Sequence, residues 1–105
     1  KDINMLIKEA KLIERAGAFS MVIECITANV AKKITNSVKI PTIGIGSSKY
    51  CDGQILVTDD ILGLSGFYPK FVKKYTNLSN IIKNVVIKYK KEVIKKKFPT
   101  KKNTY

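Results

Sequence analysis

Phe19-Ser20-Met21-Val22-Ile23-Glu24-Cys25 is a short apolar run that leads straight into one carboxylate. Its length is that of a buried strand, and Glu24 falls where such a strand ends. A desolvated, unpaired carboxylate is costly, so buried strands rarely finish this way without a reason. At the C-terminal end of a parallel strand a Glu faces the crevice where α/β proteins keep their ligands. A Glu in that place can also be salt-bridged to a lysine, and the residues alone leave both readings open.

Two more runs of the same kind follow. Ile40-Pro41-Thr42-Ile43-Gly44-Ile45-Gly46 is a short apolar stretch ending in glycines, and Cys51-Asp52-Gly53-Gln54-Ile55-Leu56-Val57 is a short β-branched one. The expected strands are 19–24, 41–45 and 54–57. Helices are expected over 2–16, with Asp2 as cap and Gly17 as stop, and over 28–37, with Val30, Ala31 and Ile34 inward. Thr58-Asp59-Asp60 can cap a short helical turn through Leu64, and a second short helix is expected around 70–75. The longest helix is expected over 79–96, with Ser79 as cap and Ile82, Val85, Val86, Tyr89 and Val93 on its apolar face. Strands alternating with helices predict an α/β fold with a parallel sheet. Three parallel strands cannot cover both faces of their own sheet, which marks the chain as part of a larger α/β fold.

The 105 residues make at most one domain, and the formal net charge is +12. Such charge suggests nucleic acid or an acidic surface as partner. Against this, Arg15 is the single arginine, and nucleic-acid readers favour arginine for its bidentate fork. The lysines are better read as solvated faces. Cys25 and Cys51 lie far apart, form no C-x-x-C pair and fit reduced, packed thiols. No apolar run approaches the roughly 20 residues needed to cross a bilayer, so neither a membrane nor nucleic acid is expected as partner, and the expected location is cytoplasmic.

Glu14-Arg15-Ala16-Gly17-Ala18-Phe19 followed by Val22-Ile23-Glu24-Cys25 resembles the ketopantoate hydroxymethyltransferase (3-methyl-2-oxobutanoate hydroxymethyltransferase) family. Ile40–Gly46, Cys51–Val57, Asp60-Ile61-Leu62-Gly63, Pro69-Lys70-Phe71-Val72 with Tyr75, and Phe98-Pro99 continue the likeness in the family's order over nearly the whole chain. The resemblance implies that residues 1–105 are the C-terminal segment of a single (βα)8 (TIM) barrel domain, a fold of about 250 residues, holding roughly the last three of its strands. It implies an enzyme that transfers a hydroxymethyl group from 5,10-methylenetetrahydrofolate to 3-methyl-2-oxobutanoate, giving 2-dehydropantoate for pantothenate and coenzyme A. The implied partners are the oxo acid, the folate, the remaining N-terminal part of the barrel and further copies in a homo-oligomer. Mg2+ is implied with all its ligands outside this chain, so the segment by itself is expected to be inactive.

By the same resemblance Glu24 matches the catalytic glutamate. The chemistry asks for such a group, because a carbon acid beside a ketone must lose a proton to a base within reach. Gly44 and Gly46 are candidates for close backbone approach to substrate, or equally for tight packing and positive φ. Asp52-Gly53 reads most simply as a turn before a strand, and Asp59 and Asp60 as helix-capping residues. The chain departs from the family pattern at Thr27, where proline is usual, at Ser47-Ser48, where Ala-Gly is common, and at Asp59, where a histidine often stands. Two rival readings are a basic nucleic-acid-binding module and another barrel enzyme of the phosphoenolpyruvate-mutase kind.

Overall fold

The computed structural model describes residues 2–105. The described chain forms two compact units. The first runs to Val57 and takes in Phe67–Val72. It contains α1 (Ile3–Arg15), β1 (Met21–Glu24), α2 (Ala28–Thr35), β2 (Thr42–Ile45) and β3 (Gly53–Gln54). The second consists of Thr58–Gly66 and Lys73–Tyr105. It contains α3 (Thr58–Leu62) and α4 (Leu78–Ile94), followed by a short 3-10 turn, Lys101–Asn103.

All strands of the first unit are parallel, in the order β1-β2-β3. Met21 lies opposite Thr42 and Glu24 opposite Ile45, while Ile43 and Gly44 pair with Gly53 and Gln54. The expected parallel α/β sheet is therefore present. Its strands are shorter than their apolar runs because a strand lasts only as long as its neighbour. Met21 donates to the Pro41 carbonyl, which leaves Phe19 and Ser20 without a strand beside them. Ile55 makes the last rung to Gly44, so the strand expected over 54–57 is confined to Gly53 and Gln54.

One face of this sheet is packed. Met21, Ile23, Ala10 of α1, Ala31 and Ile34 of α2 and Cys51 form the core, with Leu6, Ile7, Val30, Val38 and Ile40 against it. Between β1 and β2 the crossover is the helix α2. Between β2 and β3 it is only the loop 46–52, which places Cys51 and Ser48 in the interior. The other face is bare. Val22, 58% exposed, and Glu24 project from it, and Ile55 and Val57, just past β3, are exposed as well. Parallel sheets are almost always covered on both sides, so a half-covered one is what three strands of a barrel present.

Local chemistry sets the joints. The Asp2 side chain accepts the Asn4 N–H at 3.0 Å, capping α1 as expected. Gly17, at φ 94, ends that helix, with its N–H on the Glu14 carbonyl and the Ala18 N–H on that of Ile13. This is the left-handed closure that glycine suits best. The Glu14 carboxylate accepts the N–H groups of Lys39 and Ile40, tying the end of α1 to the approach of β2.

In the second unit three expectations are corrected. The cap of α4 is Asn77, whose side chain accepts from Asn80 N–H, so the helix begins before Ser79. Residues 70–75 are not helical: the Val72 N–H returns to the Pro69 carbonyl in a single turn. The apolar face of α4 is not inward. Ile82, Val85, Val86, Tyr89 and Val93 are all exposed, and Tyr75 is exposed as well. The stripe at helical spacing is real, but nothing among the described residues buries it. Tyr89 and Phe98 do meet edge to face, 5.5 Å between ring centres.

Candidate active site

Glu24 is the last residue of β1, level with Ile45 at the end of β2. Along β1 exposure alternates, with Met21 and Ile23 buried and Val22 and Glu24 exposed. Glu24 therefore projects from the bare face of the sheet, at the C-terminal ends of the strands. Among the described residues its side chain has no hydrogen-bond or ion-pair partner, in a chain with 20 basic residues. No lysine among the described residues pairs with it.

Cys25, next in the chain, adopts φ 51 while its N–H still bonds the Ile45 carbonyl at 3.0 Å. A non-glycine residue in the left-handed region carries a conformational cost, and such residues cluster at functional sites. Here the turn frees the chain from the ladder immediately after Glu24. Thr27 then precedes α2 at φ −61 and makes no side-chain cap. That φ is one a proline also holds.

The two glycines of the second run are separated by the pleat. A Cβ on Gly44 would lie 2.8 Å from Gln54 Nε2 and 3.2 Å from Cys51 Sγ. Gly44 pairs with Ile23, so its side-chain position belongs to the packed face, opposite Glu24. Gly46, at φ 57, stands one residue past β2, and a Cβ there would lie 2.6 Å from the Phe71 ring. Each glycine has a packing neighbour, and Gly46 also holds a positive φ.

Beyond Gly46, Ser48 organises the loop. Its Oγ accepts the Tyr50 N–H, and its carbonyl accepts from Cys51 N–H and from Gln54 Nε2. The buried Ser47 Oγ has no partner among the described residues. An alanine at this position would bring no such orphan.

Asp52 lies at the other end of the strands. Its carboxylate accepts the Thr42 N–H at 2.8 Å and the Thr42 hydroxyl at 3.0 Å. The Thr42 Oγ1 is in turn 2.9 Å from Thr35 Oγ1. Thr42 opens β2 and Asp52 precedes β3, so this clamp holds the N-terminal ends together, the end that serves stability in barrel folds. The backbone hydrogen bond from Thr42, then that from its hydroxyl, holds the Asp52 carboxyl below its ordinary value of 3.8. A lowered native value means that the stabilisation is complete above the ordinary value and is lost as the pH falls through the lowered one. Asp52→Asn is therefore expected to destabilise the protein at pH 7, with the gap from the parent closing at acid pH. Urea unfolding of both at neutral and acid pH checks this, and a gap independent of pH would remove the ionic component.

Among the described residues no group of three His, Cys, Asp or Glu side chains could hold a metal ion. Asp59 and Asp60 sit in the first turn of α3, where negative charge suits the helix dipole, and Asp60 accepts from Ser65 Oγ. Glu24 stands alone.

The family model described as ketopantoate hydroxymethyltransferase matches residues 1–101. A 3-methyl-2-oxobutanoate hydroxymethyltransferase of Pelagibacter ubique is 52% identical over 101 residues, which are 96% of this chain and 39% of that relative. One from Clostridium beijerinckii is 55% identical over 95% of this chain and 37% of its own length. One from Sulfurisphaera tokodaii is 53% identical over 98% of this chain and 39% of its own. The chain thus spans well under half the length of the curated relatives it matches.

Proposed function

The chain belongs to the ketopantoate hydroxymethyltransferase family, and from that premise we propose that it supplies the catalytic base to a (βα)8 enzyme making 2-dehydropantoate. The reaction joins the methylene carbon of 5,10-methylenetetrahydrofolate to C3 of 3-methyl-2-oxobutanoate. Glu24 removes the C3 proton, and the electron pair left behind forms the new carbon–carbon bond. Uptake of a water and release of tetrahydrofolate complete the balance. The observation that carries this reading is an unpaired carboxylate on the bare face, at the C-terminal end of a parallel strand. That is where barrel enzymes place reacting groups. The same position, followed by a left-handed residue, gives a side chain that packing does not use.

In this reading the rest of the barrel, including the magnesium ligands, lies outside residues 1–105. The bare face of Val22 and Glu24 fits a missing set of strands. No described helix is long and apolar enough to cross a membrane. The reading takes the enzyme to be cytoplasmic and homo-oligomeric.

The complete protein, given the oxo acid, the folate and magnesium, is expected to form 2-dehydropantoate, followed by mass spectrometry. Residues 1–105 alone are expected to form none. A complete protein that leaves the oxo acid untouched, or a segment as active as the whole, would sink the reading.

A further inference from the structure

Between α3 and α4 the chain runs through Gly66-Phe67-Tyr68-Pro69-Lys70-Phe71-Val72. Phe67–Val72 belongs to the sheet unit, although the residues on either side of it do not. The anchor is Phe71. Its ring lies against Gly46, so closely that a Cβ there would stand 2.6 Å from Cδ1 and 2.7 Å from Cγ. Gly46 follows Ile45, and Ile45 is the partner of Glu24. The segment is thereby pinned at the same end of the sheet as the candidate base. The Val72 N–H closes a turn on the Pro69 carbonyl at 2.9 Å, with Lys70 inside it.

The side chains of the segment divide by role. Phe71 and Val72 are half-buried and hold it down, while Lys70 is exposed and Phe67 is 78% exposed. A phenyl ring that far in water contributes little to packing. What it offers is a flat apolar face three residues before a cation, on a segment whose Phe71 is anchored at the sheet end that carries Glu24. Of the two reactants proposed above, only the folate combines flat rings with an anionic tail; the oxo acid has no ring to stack.

Resting on that reading, we propose that Phe67 and Lys70 form the folate-binding wall of the site. Phe67 stacks on a ring of methylenetetrahydrofolate and Lys70 pairs with the glutamate carboxylates of its tail. Stacking of a heteroaromatic ring on an aromatic side chain is worth about tenfold in binding, and an exposed ion pair only a few-fold.

The test uses the complete enzyme with Phe67→Ala and Lys70→Glu. Phe67→Ala is expected to raise KM for methylenetetrahydrofolate roughly tenfold. Lys70→Glu is expected to abolish the fall in KM on going from a mono- to a triglutamate tail. Exchange of the C3 proton of 3-methyl-2-oxobutanoate with solvent, measured without folate, should match the parent in both. An unchanged folate KM in both variants overturns the proposal, and so does proton exchange that falls in step with transfer, which assigns the wall to the oxo acid or to folding. If the parent itself neither exchanges nor transfers, it is the hydroxymethyltransferase reading that fails.

Discussion

Glu24→Gln in the complete enzyme is expected to lower hydroxymethyl transfer by about 10²- to 10⁴-fold, the usual cost of losing a general base. The amide keeps the shape of the side chain but cannot take the proton. Folding should be unaffected, because Glu24 is exposed and has no hydrogen bond or ion pair among the described residues. That separation is what makes the variant informative: a loss of rate cannot be traced to a lost structural contact. NMR of the oxo acid in deuterated solvent without folate locates the step. Exchange that slows together with transfer identifies Glu24 as the base that takes the C3 proton. Transfer that slows alone moves Glu24 to the folate half of the reaction. If neither changes, Glu24 is a strand-end residue only and the proposed mechanism is wrong.

The parallel sheet was legible because apolar runs of strand length, broken by glycines and by a helical stripe, have few other solutions. Ala31 and Ile34 were readable as core for the same reason: they recur at helical spacing, with Lys32 and Lys33 outward. Glu24 was readable as a site residue because a carboxylate at the end of an apolar run is a local contradiction, and such contradictions concentrate at functional positions. Strand ends were less legible. Val57 has the residue type of a strand but no partner, since β2 turns away at Gly46, and partner length is not a property of the run itself.

Long-range contacts left the weakest trace. Nothing near Thr42 in the sequence announces that Asp52 will hold its N–H, or that Glu14 will reach the amides of Lys39 and Ile40. A carboxylate that caps a distant backbone looks, as sequence, like any surface acid. The apolar stripe of α4 was legible as a stripe, but nothing among the described residues buries it. Phe71 against Gly46 belongs with these. Gly46 carried a signal, the glycine after an apolar run, while its partner 25 positions on carried none that could be matched to it.

Gly63→Ala is expected to be among the most destabilising single-methyl additions available to this chain. Gly63 is buried at φ 73 and closes α3, with its N–H on the Asp60 carbonyl and the Leu64 N–H on that of Asp59. An alanine pays about 1–2 kcal/mol for the left-handed backbone alone. Its Cβ would also run into the carbonyl oxygen of Thr76 and lie 3.0 Å from the Cα of Asn77. These are backbone atoms at the start of α4, held by the Asn77 cap, so they cannot turn aside as a side-chain end would. Overpacking of this kind adds about 1–3 kcal/mol, for a total on the order of 2–5 kcal/mol. Gly17→Ala is the built-in control: φ is 94 there, but nothing lies within 4 Å of the added carbon. It should show the backbone cost and no more. Urea unfolding of the two variants in the complete protein measures the difference. If Gly63→Ala costs no more than Gly17→Ala, the carbonyl of Thr76 does not stand over α3 in the folded protein, and the tight junction of α3 with the start of α4 described above is wrong.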